Sequence, residues 1–306
     1  MTRHFLTVSD LSREELFSVL DRAEELKALR GTPAHPQPLQ GKSIAVVFEK
    51  ASTRTRLSFE VGIHELGALP VTLNSKDTQL GRGEPIEDTA RMLSRYVHGA
   101  VYRTFGHDRL EAFARYATIP VVNGLSDKFH PVQLLADMMT IRQRFGPSLE
   151  NARVAWIGDG NNMAQSWIVS AAVAGFELEL ACPPGYQPDG QVLADARARG
   201  ARVRLVERPE EALDGVNVVT TDVWASMGQE AEAAERTRAF SGFMVDDAAM
   251  GRAADDAIFL HCLPAHRGEE VSAAVIDGPQ SRVWDEAENR LHTQKALLEW
   301  LMVQRQ

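Results

Sequence analysis

The sequence predicts an α/β protein of two domains, each with a parallel sheet flanked by helices, and a C-terminal helix that packs back on the first domain. Short apolar runs of strand length alternate with helical segments, and this alternation restarts after residue 150. The length of 306 residues is enough for two buried cores. We place the first domain at 1–145 together with 285–306, and the second at 146–284.

The first domain is predicted to open with an amphipathic helix and to continue with alternating strands and helices. Ser12 to Glu15 match a capping box, and apolar residues then recur at helical spacing until Gly31. Proline-rich residues 33–38 predict a loop, and Ser43 to Phe48 is an apolar run typical of a buried parallel strand. The elements expected next are helices near 54–66, after Pro85, near 107–117 and from about His130, with strands near 69–73, 99–103 and 119–122.

The second domain repeats this alternation. Its expected strands are 153–157, 177–181, 202–206, 216–220 and 257–261. The last helical stretch, roughly 285–302, carries Leu291, Leu297, Leu298 and Trp300, and no second-domain strand follows it. We therefore expect this helix to pack on the first domain.

Composition excludes several classes of protein. The net charge is −9 and basic residues are scattered among acids, so no basic stripe is available for nucleic acid. No stretch approaches the roughly 20 apolar residues of a membrane span. Two cysteines, Cys182 and Cys262, cannot form a disulfide framework, so a cytoplasmic protein is expected. His261, Cys262 and His266 lack the spacing of a structural zinc site, and neither a metal nor a cofactor is predicted.

Residues Ser52 to Arg56 follow a predicted strand and open a predicted helix. Backbone N–H groups and the positive end of the helix dipole would then face one point at the carboxyl edge of the sheet. The hydroxyls and the guanidinium of Arg54 add charge-assisted donors, and this combination suits a phosphate dianion. An N-capped surface helix with solvated arginines is the structural alternative.

His130 and Gln133 are one helical turn apart at the start of a predicted helix, so both project from one face. An imidazole and an amide N–H₂ are donors suited to a carbonyl oxygen that gains negative charge during nucleophilic attack. Arg103 ends a predicted strand at the same kind of edge. A histidine that caps its own helix and a solvated arginine are the alternatives.

Three further motifs follow strands of the second domain. Gly158 to Asn162 resembles the start of a dinucleotide fingerprint, but the third glycine is missing. Its two asparagines instead offer amide groups to a carboxylate or an amino group. A helix cap is the structural alternative. Asp222 to Gly228 places a carboxylate and a hydroxyl on one loop, a pairing that an amino acid's charges require, although a solvated turn is the default. His261 to Pro264 ends a buried strand, where Cys262 is favoured as a lining residue over a nucleophile.

Five motifs in order resemble those of the carbamoyltransferases, and most closely of the ornithine carbamoyltransferases. They are FEKASTRTR from Phe48, HPVQLLAD from His130, DVWASMGQE from Asp222, HCLPAHRGEEV from His261 and ENRLHT from Glu288. The resemblance runs over nearly the whole chain. It implies carbamoyl transfer from carbamoyl phosphate to the side-chain amine of L-ornithine, giving L-citrulline and phosphate in arginine biosynthesis, or the reverse in arginine catabolism. It also implies a trimer, or a multiple of trimers, with active sites between subunits.

Carried over position by position, the resemblance implies three groups of site residues. The catalytic group is Arg103, His130 and Cys262. The carbamoyl-phosphate group is Ser52, Thr53, Arg54, Thr55, Gln79, Arg103, His130, Gln133, Cys262, Leu263 and Arg290, in which Gln79 matches a glutamine that reaches the neighbouring subunit's site. The ornithine group is Asn162, Asp222, Ser226 and Met227, with Asn161 as a helper.

Three other functions compete with this prediction. A sister transferase for N-acetylornithine or putrescine would need no contacts to a free α-amino or carboxylate group, and Asp222 with Ser226 to Gly228 argues otherwise. A nucleotide-dependent oxidoreductase would need the third glycine of the dinucleotide fingerprint, which this sequence lacks. An inactive carbamoyltransferase-like subunit that binds a partner would not need intact motifs.

Overall fold

The computed structural model of the chain describes residues 2–75, 78–225 and 232–303. It divides into two compact units, one made of Met1–Met139 with Glu288–Gln306 and the other of Thr140–Ala287. Each unit contains one parallel β-sheet with helices around it. The predicted α/β fold class is confirmed.

Short parallel strands form both sheets. Within the described residues they are β1 (Ser43–Phe48), β2 (Leu69–Asn74), β3 (Gly99–Arg103), β4 (Val121–Leu125), β5 (Arg153–Ile157), β6 (Glu177–Ala181), β7 (Arg202–Val206), β8 (Val218–Thr221) and β9 (Ile258–His261). The strand orders are β2-β1-β3-β4 and β7-β6-β5-β8-β9. The order in which strands are added thus reverses once in each sheet, between β1 and β3 and between β5 and β8. Ligands of open α/β sheets bind at such switch points, beside the carboxyl ends of the strands.

Helices connect the strands, and the longest one ends the described chain. They are α1 (Arg13–Ala28), α2 (Thr53–Glu65), α3 (Ile86–Tyr96), α4 (His107–Tyr116), α5 (Pro131–Phe145), α6 (Asn162–Ala174), α7 (Gly190–Ala198), α8 (Pro209–Ala212), α9 (Ala233–Ala239), α10 (Asp247–Met250), α11 (Ala273–Ile276) and α12 (Val283–Val303). The predicted capping box begins α1: Ser12 Oγ accepts the Glu15 N–H, and the Glu15 carboxylate accepts the Ser12 N–H. In the described part of the chain, no helix is both long and apolar enough to cross a membrane.

Apolar side chains bury the central strand of each sheet. In β1, Ile44 to Phe48 are all buried, and in β5 the same is true of Val154 to Ile157. Aromatic residues fill the space between sheet and helices, with Tyr102 against Phe113 in the first unit and Trp224 against Phe240 in the second. Strands buried on both faces explain the continuous apolar runs of the sequence. They also give the site residues at their ends a rigid support.

Two strands begin two residues later than the sequence predicts. The expected strand 119–122 is β4, which starts at Val121, because Pro120 has no N–H to donate to a ladder and contributes only its carbonyl to the Ala100 N–H. The expected strand 216–220 is β8, which starts at Val218, after a turn in which Gly215 has a positive φ of 63°. Both shifts are of two residues and leave the sheet order unchanged.

The C-terminal helix packs within the first unit, as predicted. Several polar contacts join it to α1 and α2. Arg22 Nε lies 3.0 Å from Glu299 Oε2, Lys27 Nζ donates to Asn289 Oδ1 at 2.8 Å, and Lys295 Nζ donates to Glu65 Oε2 at 2.6 Å. The same helix places Arg290 in the unit that contains β1 and β3.

His292 on α12 should make the stability of the protein sensitive to acid. Its side chain is fully buried, and burial together with the charges of Lys295 and Lys27 lowers its pKa to about 4. Between about pH 6.5 and 4 the unfolded chain therefore binds more protons than the folded one, so the free energy of unfolding falls as the pH falls through this window. We expect His292→Gln to flatten that fall, measured by urea unfolding across this range. The exposed His64→Gln is the control, and equal slopes for His292→Gln and the parent chain would contradict the assignment.

Candidate active site

Ser52 and Thr53 begin α2 directly after the carboxyl end of β1. Ser52 is the N-cap residue, and its Oγ accepts the N–H of Thr55 at 3.2 Å. Thr53 is exposed, whereas Ser52 and Arg54 are half-buried and Thr55 is buried. The positive end of a 13-residue helix thus faces the switch point between β1 and β3.

Two buried arginines converge on the hydroxyl of Thr55. Arg103 Nη1 lies 3.2 Å and Arg290 Nη2 2.8 Å from Thr55 Oγ1. Their residues are only 7% and 3% exposed, so two positive charges share a space with little water. Such a space favours an anion that accepts from both guanidinium groups, because charge-assisted hydrogen bonds are stronger where little water competes.

His130 is neutral in this environment. The residue is buried, and burial holds its pKa well below the ordinary range, with the charges of Arg290 and Arg103 acting in the same direction. A neutral imidazole can donate one hydrogen bond without adding a third positive charge. This suits the polarisation of a carbonyl oxygen at neutral pH.

Gln133 is held in one orientation by its neighbours. Its Oε1 accepts from Arg290 Nη1 at 3.0 Å, and its Nε2 donates to Asp137 Oδ1 at 2.8 Å. Asp137 uses one of the two amide hydrogens, so a donor role of Gln133 depends on the second. Sequence reasoning missed Asp137, although its spacing of four from Gln133 places both on one helix face.

Gln79 lies in the segment between β2 and α3. It begins a short 3-10 helix, Gln79–Arg82, and is exposed. Across the described ranges, no hydrogen bond joins it to Ser52–Thr55 or to the two arginines.

A second polar cluster surrounds Asp222, just after β8. Asp222 is 8% exposed, its Oδ2 accepts from Asn161 Nδ2 at 2.9 Å, and its Oδ1 accepts from the Val223 N–H at 2.9 Å. The Cys262 thiol donates to the same Oδ1 at 3.3 Å. Asn161 thus contacts Asp222, and Asn162 is the first residue of α6. Ser226 and Met227 lie outside the described residues.

The chain after β9 has an unusual backbone. Leu263 adopts a left-handed conformation with φ 57°, which is rare for a residue with a branched side chain. Its N–H donates to His261 Nδ1 at 2.9 Å, which stabilises this conformation. Cys262, between them, is half-buried and lies in the second unit with Asp222.

A buried ion pair supports the Asp222 cluster. Arg236 Nη1 lies 2.8 Å from Asp159 Oδ2 and donates to the carbonyl of Trp224 at 2.9 Å. Burial raises the pKa of Asp159, and Arg236 opposes this shift. The pair joins the turn before Asn161 to the segment after Asp222. The sequence gives no signal for it, because 77 residues separate the partners.

Two groups of side chains in the described ranges could hold a metal ion. Asp222, His261 and Cys262 form one, and His266, Glu269 and Glu270 form the other, with the ligand atoms of each group within 4.8 Å of one another. Sequence spacing gave no indication of the first group, because its members come from the ends of two adjacent strands.

Two family models match the chain. The model described as "Aspartate/ornithine carbamoyltransferase, carbamoyl-P binding domain" matches residues 3–143. The model described as "Aspartate/ornithine carbamoyltransferase, Asp/Orn binding domain" matches residues 150–301.

Relatives and solved structures agree with these models. An ornithine carbamoyltransferase of Halorhodospira halophila is 56% identical over 98% of this chain and 99% of its own length, and one of Acidothermus cellulolyticus is 57% identical over 99% and 97%. The ornithine carbamoyltransferase structure from Pyrococcus furiosus has a TM-score of 0.94 at 46% identity, covering 99% of this chain and 98% of that one. The anabolic enzyme of Campylobacter jejuni has a TM-score of 0.94 at 44% identity, covering 100% of both chains.

Proposed function

The chain belongs to the aspartate/ornithine carbamoyltransferase family, and from this we propose how its two polar clusters divide the substrates of one reaction. Its activity is that of an ornithine carbamoyltransferase, which transfers the carbamoyl group of carbamoyl phosphate to the side-chain amine of L-ornithine. The products are L-citrulline and phosphate. The roles of individual residues are the proposal.

The observation that carries the proposal is the convergence of Arg103 and Arg290 on Thr55 beside the N-terminus of α2. We assign the phosphate group to the hydroxyls of Ser52, Thr53 and Thr55 and to the backbone N–H groups at the first turn of α2, together with the guanidinium of Arg54. Arg103, His130, Gln133 and Arg290 orient the carbamoyl group. Guanidinium groups and a helix N-terminus are the donors that a phosphate dianion needs.

We assign L-ornithine to the second cluster. The Asp222 carboxylate, held by Asn161, faces the positive charge of an amino group, and Asn162 offers an amide at the start of α6. Ser226 and Met227 join them through the family resemblance alone. Cys262 and Leu263 are assigned to carbamoyl phosphate through the family resemblance alone.

The chemistry requires the neutral side-chain amine of ornithine to attack the carbamoyl carbon. A C–N bond forms, negative charge develops on the carbonyl oxygen, and the C–O bond to phosphate then breaks as the nitrogen gives its proton to the departing phosphate. Arg103, neutral His130 and Thr55 stabilise the oxygen. Positioning of the two substrates lowers the barrier by about 7 to 11 kcal/mol. The side-chain ammonium of free ornithine has a pKa of about 10.4 and must lose a proton before attack. We propose that Asp222, hydrogen-bonded to Cys262, arranges the loss of this proton.

The domain assignment and the assembly are also proposals. Residues 1–145 with 285–306 would form the carbamoyl-phosphate-binding domain, and 146–284 the ornithine-binding domain; the descriptions of the family models support this order. We propose a cytoplasmic homotrimer or a multiple of trimers, in which the exposed Gln79 reaches a neighbouring subunit's site. Sedimentation velocity would show the assembly.

Arg54→Ala should raise the KM for carbamoyl phosphate far more than the KM for L-ornithine. If Arg54 binds the phosphate, its loss should raise the KM for carbamoyl phosphate by about a hundredfold and that for L-ornithine by no more than about twofold. Arg56→Ala is the matched control, because Arg56 lies two residues further along α2, is exposed, and pairs with Glu60 at 2.9 Å. Steady-state kinetics with each substrate varied at saturation of the other gives both constants. Equal increases for the two substrates would remove Arg54 from the phosphate site.

A further inference from the structure

The segment after β9 brings three potential metal ligands together. His266 Nδ1 lies 3.6 Å from Glu269 Oε2 and 4.0 Å from Glu270 Oε2. Zinc binds nitrogen and oxygen ligands at about 2.0 to 2.2 Å in tetrahedral geometry, so two ligands of one ion are separated by about 3.3 to 3.6 Å. The first separation lies at the upper end of this range, and the second requires the exposed His266 side chain to move by a few tenths of an ångström.

The two carboxylate oxygens of Glu270 differ in their hydrogen bonds. The side chain is fully buried, and its Oε1 accepts the His266 N–H at 2.6 Å and lies 3.2 Å from His261 Nε2. Because His261 Nδ1 already accepts the Leu263 N–H, the proton of this imidazole is on Nε2 and is donated to Glu270. Glu270 Oε2 has no hydrogen-bond partner among the residues that the structure describes. A buried carboxylate oxygen without a hydrogen bond lowers the stability of the fold, because its lost hydration is not replaced. A cation bound to this oxygen would offset that loss.

We propose that His266 Nδ1, Glu269 Oε2 and Glu270 Oε2 bind a divalent transition-metal ion of the Zn²⁺ type. One imidazole with two carboxylates suits Zn²⁺ better than Mg²⁺ or Ca²⁺, which prefer oxygen ligands alone. His261 supports the site by donating to a ligating carboxylate. The side chains of His266 and Glu269 are each 52% exposed, which gives the ion a path from solvent and leaves room for water as a fourth ligand.

The site differs from the group formed by Asp222, His261 and Cys262. That group contains a thiol and residues assigned here to substrates, whereas His266, Glu269 and Glu270 have no part in the proposed reaction. His261 links the two groups, because it bonds Glu270 through Nε2 and the Leu263 backbone through Nδ1. An ion on Glu270 would therefore fix the segment 266–270 and the imidazole that holds the left-handed residue Leu263.

The test is calorimetric titration of the full-length protein with Zn²⁺, in a Cys262→Ala background that removes the thiol of the other group. We expect one ion per chain, and a loss of affinity of at least about tenfold in Cys262→Ala with His266→Ala. Glu269→Gln, which is also exposed, should weaken binding similarly. His64→Ala, an exposed histidine outside both groups, is the control and should leave binding unchanged.

A thermal measurement provides a second readout. Zn²⁺ should raise the Tm of the Cys262→Ala protein, and the rise should disappear when His266→Ala is added, since an ion that binds only the folded state stabilises it. Absence of Zn²⁺ binding in the Cys262→Ala background would overturn the proposal. Binding that is unaffected by His266→Ala and Glu269→Gln would overturn it as well.

Discussion

Replacing Arg103 by methionine is expected to lower kcat/KM for carbamoyl phosphate by about a thousandfold. The methionine retains an apolar stem but removes one of the two guanidinium groups that converge on Thr55. It also removes a donor from the oxygen that gains negative charge during attack, so kcat should fall as well as KM rise. Steady-state assay of citrulline formation gives both constants.

Arg103→Lys tests whether the charge of Arg103 alone is sufficient. Lysine keeps the charge but lacks the planar fork of the guanidinium, so it should recover only a small part of the lost activity. Arg115→Met, on the exposed part of α4, is the control for replacing an arginine in this unit. A fall of less than about tenfold in Arg103→Met, with an unchanged Tm, would contradict the role given to Arg103.

Asp222→Asn should damage the ornithine side of the reaction. The carboxylate is buried and accepts from Asn161, Val223 and the Cys262 thiol, so loss of its charge leaves an amino group without its partner. We expect the KM for L-ornithine to rise by about a hundredfold or more, with little change in the KM for carbamoyl phosphate. Asp214→Asn, an exposed aspartate of the same unit, is the control.

The pH profile of Asp222→Asn tests the proton step separately. In the parent protein, Asp222 is proposed to help the bound amine lose its proton, so kcat/KM for L-ornithine should level off below the amine's solution pKa. The variant should depend on amine that is already neutral in solution, and its kcat/KM should continue to rise toward about pH 10. Superimposable profiles would leave Asp222 as a binding residue without a part in proton loss.

Most of the fold could be predicted from the sequence because parallel strands buried on both faces give continuous apolar runs. β1, with Ile44 to Phe48 all buried, is such a run, and its predicted bounds agree with the structure. The start of β4 could not be placed from hydrophobicity alone. Ile119 is apolar and buried, yet Pro120 keeps the ladder from beginning before Val121.

The site could be predicted as far as its residues follow strands. Thr55 follows β1 and Arg103 is the last residue of β3, and the structure places their side chains in contact. The exact partners could not be read from spacing. Arg290 reaches Thr55 across 235 residues, and Arg236 reaches Asp159 across 77. Such pairs depend on how helices pack on the sheets, which local patterns do not encode.

The central claim is that this chain carbamoylates L-ornithine, and the most direct test is an assay of carbamoyl transfer from carbamoyl phosphate to several acceptors. L-Ornithine, L-aspartate, putrescine and N-acetylornithine would be compared at equal concentration with the purified protein. We predict that L-citrulline forms from L-ornithine while the other three acceptors give no product above the enzyme-free rate. Turnover of another acceptor in preference to L-ornithine, or of none of the four, would contradict the claim.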